Sequence, residues 1–217
     1  SQGIADKLAV LGVDRRRIRV IPTPVNLEQF GDPRAGERAP GYRVAGRKIV
    51  LTVGRNDPAK DYPTLYRAIG GVAARVPELL FWQVGAAGVT EAVVRVVVGA
   101  HLDVRITPQI DQRELAAGYH ASDVVVSSSA HESFGKVLVE ANACGKPVVA
   151  TATTGAKDIV HDGVNGYLVP VGDAQALAEK IVYLLQHPGE ARAMGERGRA
   201  LGAERFDGVK NTQAIVQ

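Results

Sequence analysis

Short runs that are strongly apolar or alternating stand at residues 48–53, 79–84, 103–107, 123–126 and 147–150, and glycine or a polar loop closes most of them. Runs of that length and composition predict β-strands. Between them, apolar residues recur at helical spacing. Leu65, Ile69, Val72 and Val76 share one face of a helix expected over 62–76, and Val89, Val93, Val96 and Val97 mark another over 88–100. Asp111 and Glu114 form a capping box ahead of a third helix over 112–121. Strand, helix, strand, helix is the rhythm of a parallel sheet with helices on both faces.

The ends of the chain extend this frame. Ile4, Leu8 and Leu11 predict a helix over 1–11 that stops at Gly12, and a strand is expected over 18–21. Pro22-Thr23-Pro24 then breaks regular structure, and residues 31–46, with Pro33, Pro40 and several arginines, read as a solvated linker. Beyond Thr151, the run from Thr153 to Asp158 is a loop at a strand's carboxyl end. Asp162 to Gly166 turns into a strand over 167–169. Asp173 caps a helix whose Leu177, Ile181, Leu184 and Leu185 face inward, and Pro188 opens a last helix running toward Leu201. The tail from 205 to 217 is weakly helical.

Charge excludes little. With 26 basic and 23 acidic residues the net charge is +3, so nothing demands nucleic acid, and a small phosphate-bearing ligand fits as well. The single cysteine, Cys144, excludes an internal disulfide and a multi-cysteine metal site and is expected to be buried and inert. No apolar run reaches the length of a membrane span, and no secretory signal opens the chain, so a soluble protein is expected. The absence of an initiator Met suggests a piece of a longer protein.

The chemistry concentrates in residues 127–150. An apolar strand leads into a polar loop, a helix opens near Phe134-Gly135, and a second buried strand follows. Glu132 precedes the helix and Glu140 lies inside it, so the two carboxylates are expected to touch different parts of one ligand. Between them the N–H groups of Ser133 to Lys136 are expected to be free, with Gly135 admitting close approach, which makes an anion site. Ser133 has the alternative reading of a helix cap. At the carboxyl end of the 48–53 strand, where open α/β sheets bind ligands, Arg55 and Lys60 are placed to meet a phosphate. His131 lacks the second histidine of a zinc helix, and no metal is expected.

Taken in order, Val53-Gly54-Arg55 with Lys60, Glu132-Ser133-Phe134-Gly135-Lys136-Val137-Leu138-Val139-Glu140-Ala141, Gly145-Lys146-Pro147-Val148-Val149-Ala150-Thr151 and Asp162-Gly163-Val164-Asn165-Gly166-Tyr167-Leu168-Val169-Pro170 resemble the donor-binding half of family 4 retaining glycosyltransferases of GT-B fold. The run from Val20 to Phe30 resembles that family's interdomain linker. The resemblance implies an α/β, Rossmann-like parallel sheet with helices on both faces, the C-terminal half of a GT-B enzyme. It divides the chain into the end of an N-terminal domain with linker (1–46), a nucleotide-sugar-binding domain (47–205) and a tail or cross-over helix (206–217).

The same resemblance implies a retaining hexosyl transfer from a UDP-, GDP- or ADP-sugar, with no cofactor and no metal, to an unknown glycan, lipid-linked or small-molecule acceptor. An absent N-terminal domain would hold that acceptor. Arg55 and Lys60 would hold the diphosphate, Glu140 the ribose hydroxyls and Glu132 the donor sugar, with Arg55, Lys60 and Glu132 the catalytic candidates. Gly54, Ser133, Phe134, Gly135, Lys136 and Val137 complete the expected donor site. The expected location is cytoplasmic, or peripheral at the cytoplasmic face of a membrane through the absent domain. Thr153-Thr154-Gly155 departs from the paired glycines usual in the family, Asp158 from its glutamate, and Pro24 from its linker glycine. Two other readings stay open at this point: a second kind of GT-B nucleotide-sugar enzyme such as a UDP-sugar 2-epimerase, and a non-catalytic nucleotide-binding module.

Overall fold

The apolar runs become the strands of one sheet. The computed structural model describes residues 2–20, 23, 25–38, 40–99 and 101–206. In chain order the elements are α1 (Gln2–Val10), α2 (Leu27–Gly31), β1 (Lys48–Val53), α3 (Tyr62–Ala73), β2 (Leu79–Val84), α4 (Glu91–Val98), β3 (Asp103–Thr107), α5 (Gln112–Ala121), β4 (Val124–Ser127), α6 (Lys136–Ala143), β5 (Val148–Thr151), α7 (Thr154–Ile159), β6 (Gly166–Val169), α8 (Ala174–Gln186) and α9 (Pro188–Arg205). Short 3₁₀ segments lie at Arg15–Arg17, Pro33–Arg38, Pro40–Tyr42 and Pro58–Lys60. The strands pair in parallel in the order β3-β2-β1-β4-β5-β6. The order reverses between β1 and β4, and the loops leaving those two strands therefore flank the crevice where such sheets bind ligands.

Unbroken apolar strands follow from burial on both faces, because successive side chains point to opposite sides. Val50, Phe81, Val126 and Val149 join α3, α4 and α8 in one core, whereas Ile49, Leu51, Trp82, Val125 and Ala150 join α5 and α6 in the other. Each buried valine, leucine, isoleucine or phenylalanine among them contributes roughly 1.5–3 kcal/mol by leaving water. Gly118 of α5 makes room for Trp82, whose ring a Cβ there would meet at 3.1 Å.

The caps expected for the helices are present. Asp111 accepts from the N–H groups of Arg113 and Glu114 at 2.8 Å each, and Asp173 from Ala176 at 2.9 Å. Among the described residues only this half of the Asp111 capping box forms, with no hydrogen bond returned by Glu114.

Several expectations are corrected. No strand forms over 18–20; Ile21, Pro22 and Pro24 lie outside the described residues, as do 207–217. The helix expected over 62–76 ends at Ala73, and the one over 88–100 shrinks to α4, capped by Thr90 and ended by Gly99 with φ 109°. The 153–158 loop folds into α7. The linker is not simply solvated: Ala35 is buried, Arg43 donates to Asp123 and to the Ala121 carbonyl, and Tyr42 packs edge-on to Trp82 with ring centroids 4.7 Å apart. Helix α1 forms, but Leu8 and Leu11 stay exposed.

Helix α9 buries a face that hydrophobic periodicity does not reveal. Gly195, Gly198 and Gly202 lie inward beside Ala191 and Met194. A Cβ at Gly195 would overlap the Gly145 carbonyl, and one at Gly198 would lie 2.5 Å from Asn142 Oδ1. The absent side chains let α9 lie directly on the end of α6.

Candidate functional site

Two loops meet at the β1/β4 crevice. In the first, Asp57 accepts from the Ala59 N–H at 2.8 Å and closes the 3₁₀ turn that presents Lys60. Asp61 follows in the left-handed region, φ 47° and ψ 52°, and caps α3 through the Thr64 N–H at 3.3 Å. A left-handed residue with a Cβ costs roughly 1–2 kcal/mol, so the surroundings must hold it there. The second loop supplies part of that hold: Ala130 N–H donates to the Ala59 carbonyl at 2.8 Å, and Ser128 Oγ donates to the Lys60 carbonyl at 2.7 Å.

Lys60 Nζ lies 2.8 Å from Glu132 Oε2, both side chains about three-quarters buried. Glu132 is fixed at its backbone too, its carbonyl accepting from the Gly155 N–H at 2.8 Å. Burial pushes the Glu132 carboxyl up. The Lys60 hydrogen bond and charge, together with the N–H groups of Phe134 and Gly135, outweigh it and hold the carboxyl below its usual range. Two of the N–H groups expected to be free for a ligand are therefore turned toward the protein's own carboxylate, an internal stand-in for an anion at the start of α6.

Glu140, one turn into α6, is buried. Tyr119 donates its hydroxyl to Oε2 at 2.9 Å, and Lys136 Nζ stands 3.5 Å from Oε1. Burial raises the Glu140 pKa, an effect that Tyr119 and Lys136 reduce without cancelling. Burial and the neighbouring Glu140 raise Tyr119, which stays a neutral donor.

The other expected residues divide. Arg55 is exposed and makes no ion pair among the described residues. Gly54 accepts from the Tyr62 hydroxyl at 2.8 Å through its carbonyl, and a Cβ there would crowd Tyr62 and Lys60. Ser133 is exposed and does not cap the helix; that position belongs to Gly135, with φ 91°. Val137 packs on the second core, and Lys136 reaches back over Glu140. His131, Glu132, Ser133, Thr153 and Thr154, with Ile4 and Lys7 of α1, line a cavity of about 290 Å³. Among the described residues no group of three His, Cys, Asp or Glu side chains could hold a metal ion. Cys144 is 2% exposed, and burial pushes its thiol well up, as expected for an inert thiol.

Sequence reasoning missed Tyr119, Ser128, Tyr62 and Gly155. Only Gly155 carried a signal, as the single glycine left where a pair is usual. A Cβ on it would lie 2.5 Å from the Phe134 nitrogen, so the two backbones touch.

A parallel sheet of this order, with a cation, a carboxylate and a helix N-terminus at its switch point, defines a Rossmann-like ligand-binding domain. Residues 36–201 match the family described as Glycosyl transferases group 1, and the chain belongs to that family. A D-inositol 3-phosphate glycosyltransferase of Xylanimonas cellulosilytica is 33% identical over 207 residues, covering 90% of this chain and 49% of the relative. Anabaena Alr3699/HepE, solved in complex with UDP-glucose, superposes with a TM-score of 0.85 at 26% identity, covering 100% of this chain and 61% of that one. Sucrose-phosphate synthase of Thermosynechococcus elongatus gives 0.80 at 31% identity, covering 99% and 55%. The chain spans about half the length of the curated relatives it matches. The fold is the one the resemblance implies, a GT-B half with helices on both faces of the sheet. Among the described residues no helix is long and apolar enough to cross a membrane.

Proposed function

We propose that this chain is the donor-binding half of a family 4 retaining glycosyltransferase and that it binds a UDP-sugar across the β1/β4 crevice. The observation that carries the reading is the Lys60–Glu132 pair at 2.8 Å beside the start of α6: a cation, a carboxylate and a helix N-terminus in one place. The choice of UDP rests on the UDP-glucose complex of the Anabaena relative.

In this reading the diphosphate takes Lys60 as a point charge and the unpaired Arg55 as a fork. Glu132, released from part of its hold on Lys60, accepts from hydroxyls of the sugar, and Oε1 of Glu140 accepts from the ribose once Lys136 swings aside. Gly54 lets the phosphates approach, and the N–H groups of Ser133, Lys136 and Val137 meet sugar and phosphate oxygens while those of Phe134 and Gly135 stay on Glu132. Arg55 and Lys60 stabilise charge on the departing nucleoside diphosphate without a divalent ion. One of its oxygens helps take the acceptor proton as the acceptor enters from the same face. Removing a single donor of this kind costs on the order of 100- to 1000-fold in rate in other enzymes. An N-terminal domain outside this chain holds the acceptor, and the reaction runs in the cytoplasm or at the cytoplasmic face of a membrane.

The test is calorimetric titration with UDP, UDP-glucose, GDP and ADP, with and without a chelator, on the parent and on Arg55→Ala and Glu140→Ala. We expect UDP and its sugar to bind, chelator to change nothing, and each variant to weaken binding at least tenfold. Equal affinity in parent and variants, or no binding by the folded chain, would refute the donor-site assignment.

A further inference from the structure

At the amino ends of the strands, opposite the donor crevice, lies a second cavity of about 210 Å³. Its walls include Lys48 at the start of β1, Lys146 before β5 and Arg192 of α9, with Leu184 and Leu185 of α8 closing the side. None of the three cations has a carboxylate within ion-pair distance among the described residues. Asp123, the one acid in the lining, is already committed, its Oδ2 accepting from Arg43 at 2.9 Å and from the Ile49 N–H at 2.7 Å.

Lys146 is largely buried. Its ammonium donates to the carbonyls of His120 and Ser122 at 2.8 Å each, which uses two of its three N–H donors. Burial depresses its pKa; Asp123 opposes this, and Arg43 and Arg199 add repulsion. An anion in the cavity would offset the repulsion from Arg43 and Arg199.

Helix α9 adds donors of its own. Its N-cap, His187, makes no side-chain cap, Pro188 has no N–H, and the first intrahelical bond is made by Ala191. Among the described residues the N–H groups of Gly189 and Glu190 have no partner, at the positive end of an 18-residue helix whose Pro188, Ala191 and Arg192 face the cavity.

We infer that this cavity is a phosphate-binding site, held by Lys48, Lys146, Arg192 and the start of α9, separate from the donor crevice. Pockets that enclose drug-sized ligands run from about 300 to 1,000 Å³. This one takes a phosphate group with little attached, either the free ion or a small phosphomonoester, and not a nucleotide. The inference stands whether or not the donor assignment does.

The test is an NMR titration of the ¹⁵N-labelled chain with inorganic phosphate and, in parallel, glycerol 3-phosphate, at ionic strength matched with chloride. We expect saturable shifts of the Gly145, Lys146, Gly189 and Glu190 amides. The doubly substituted chain, Lys48→Glu with Arg192→Glu, should bind at least tenfold more weakly while its spectrum shows the parent fold and its response to UDP is unchanged. Tighter binding of the ester would assign a phosphomonoester, and tighter binding of phosphate the free ion. Shifts that stay linear, persist in the double variant or fall only on the donor loops would overturn the site.

Discussion

Tyr119 and Glu140, on neighbouring helices, form a buried pair in which the phenol hydroxyl donates to Oε2 at 2.9 Å and leaves Oε1 the oxygen nearer to Lys136. A carboxylate with one oxygen committed presents the other in a fixed direction. Tyr119→Phe removes the donor and leaves a buried acceptor unsatisfied, which should cost about 1–3 kcal/mol of stability. Urea denaturation of both proteins reads this directly; an unchanged midpoint would show that the bond contributes nothing.

Glu140 also gives a pH dependence of known sign. Its folded pKa lies above the ordinary 4.5, chiefly through burial. The folded state therefore holds the proton more tightly than the unfolded chain. That contribution is fully present below the unfolded value and is lost as pH rises through the folded one. Glu140→Gln cannot ionise, so its stability relative to the parent should climb as pH rises from 4.5. Denaturation midpoints across that range test it, and a constant gap would contradict it.

Glu132 behaves in the opposite sense. Its folded pKa is depressed, so it stabilises the fold above the unfolded pKa and loses that contribution as pH falls through the folded one. Lys60→Met removes the main opposition to burial. The Glu132 carboxyl should then titrate at higher pH than in the parent, by ¹³C NMR, and acid destabilisation should begin earlier. A carboxyl that titrates unchanged would mean that the Lys60 contact is too solvent-screened to matter.

Gly155→Ala drives a methyl to 2.5 Å from the Phe134 nitrogen and 2.7 Å from its Cα. Backbone cannot yield as a side chain does, so the loop carrying Glu132 must move. Overpacking of this kind costs roughly 1–3 kcal/mol. Thermal melting should show the loss, and UDP-glucose affinity should fall with it.

How much of this was legible depended on whether a feature is local. The runs at Lys48–Val53, Leu79–Val84 and Asp103–Thr107 became strands at those bounds, because burial on both faces writes itself as a short apolar block. Lys60 and Glu132 could each be singled out by type and position. Their pairing could not, because 72 residues separate them and only the meeting of two loops brings them together. Tyr119 carried no signal of its own, since its partner lies 21 residues away on another helix. The face of α9 was hidden for a different reason: glycines pack by what they lack, and hydrophobic periodicity does not register them. Residues 31–46 looked solvated because their composition is polar, yet Ala35 and Tyr42 found partners on the domain.

The glycine-faced contact of α9 on α6 sets a lower limit on how far this domain can be trimmed. A chain cut before Gly195 would keep all six strands and every residue named at the β1/β4 crevice, yet it would bare Asn142 and the Gly145 carbonyl to water. The helix that carries Glu140 would lose its outer support. Chimeras that exchange sugar specificity between relatives should therefore carry α6 and α9 across together, as a matched pair from one parent.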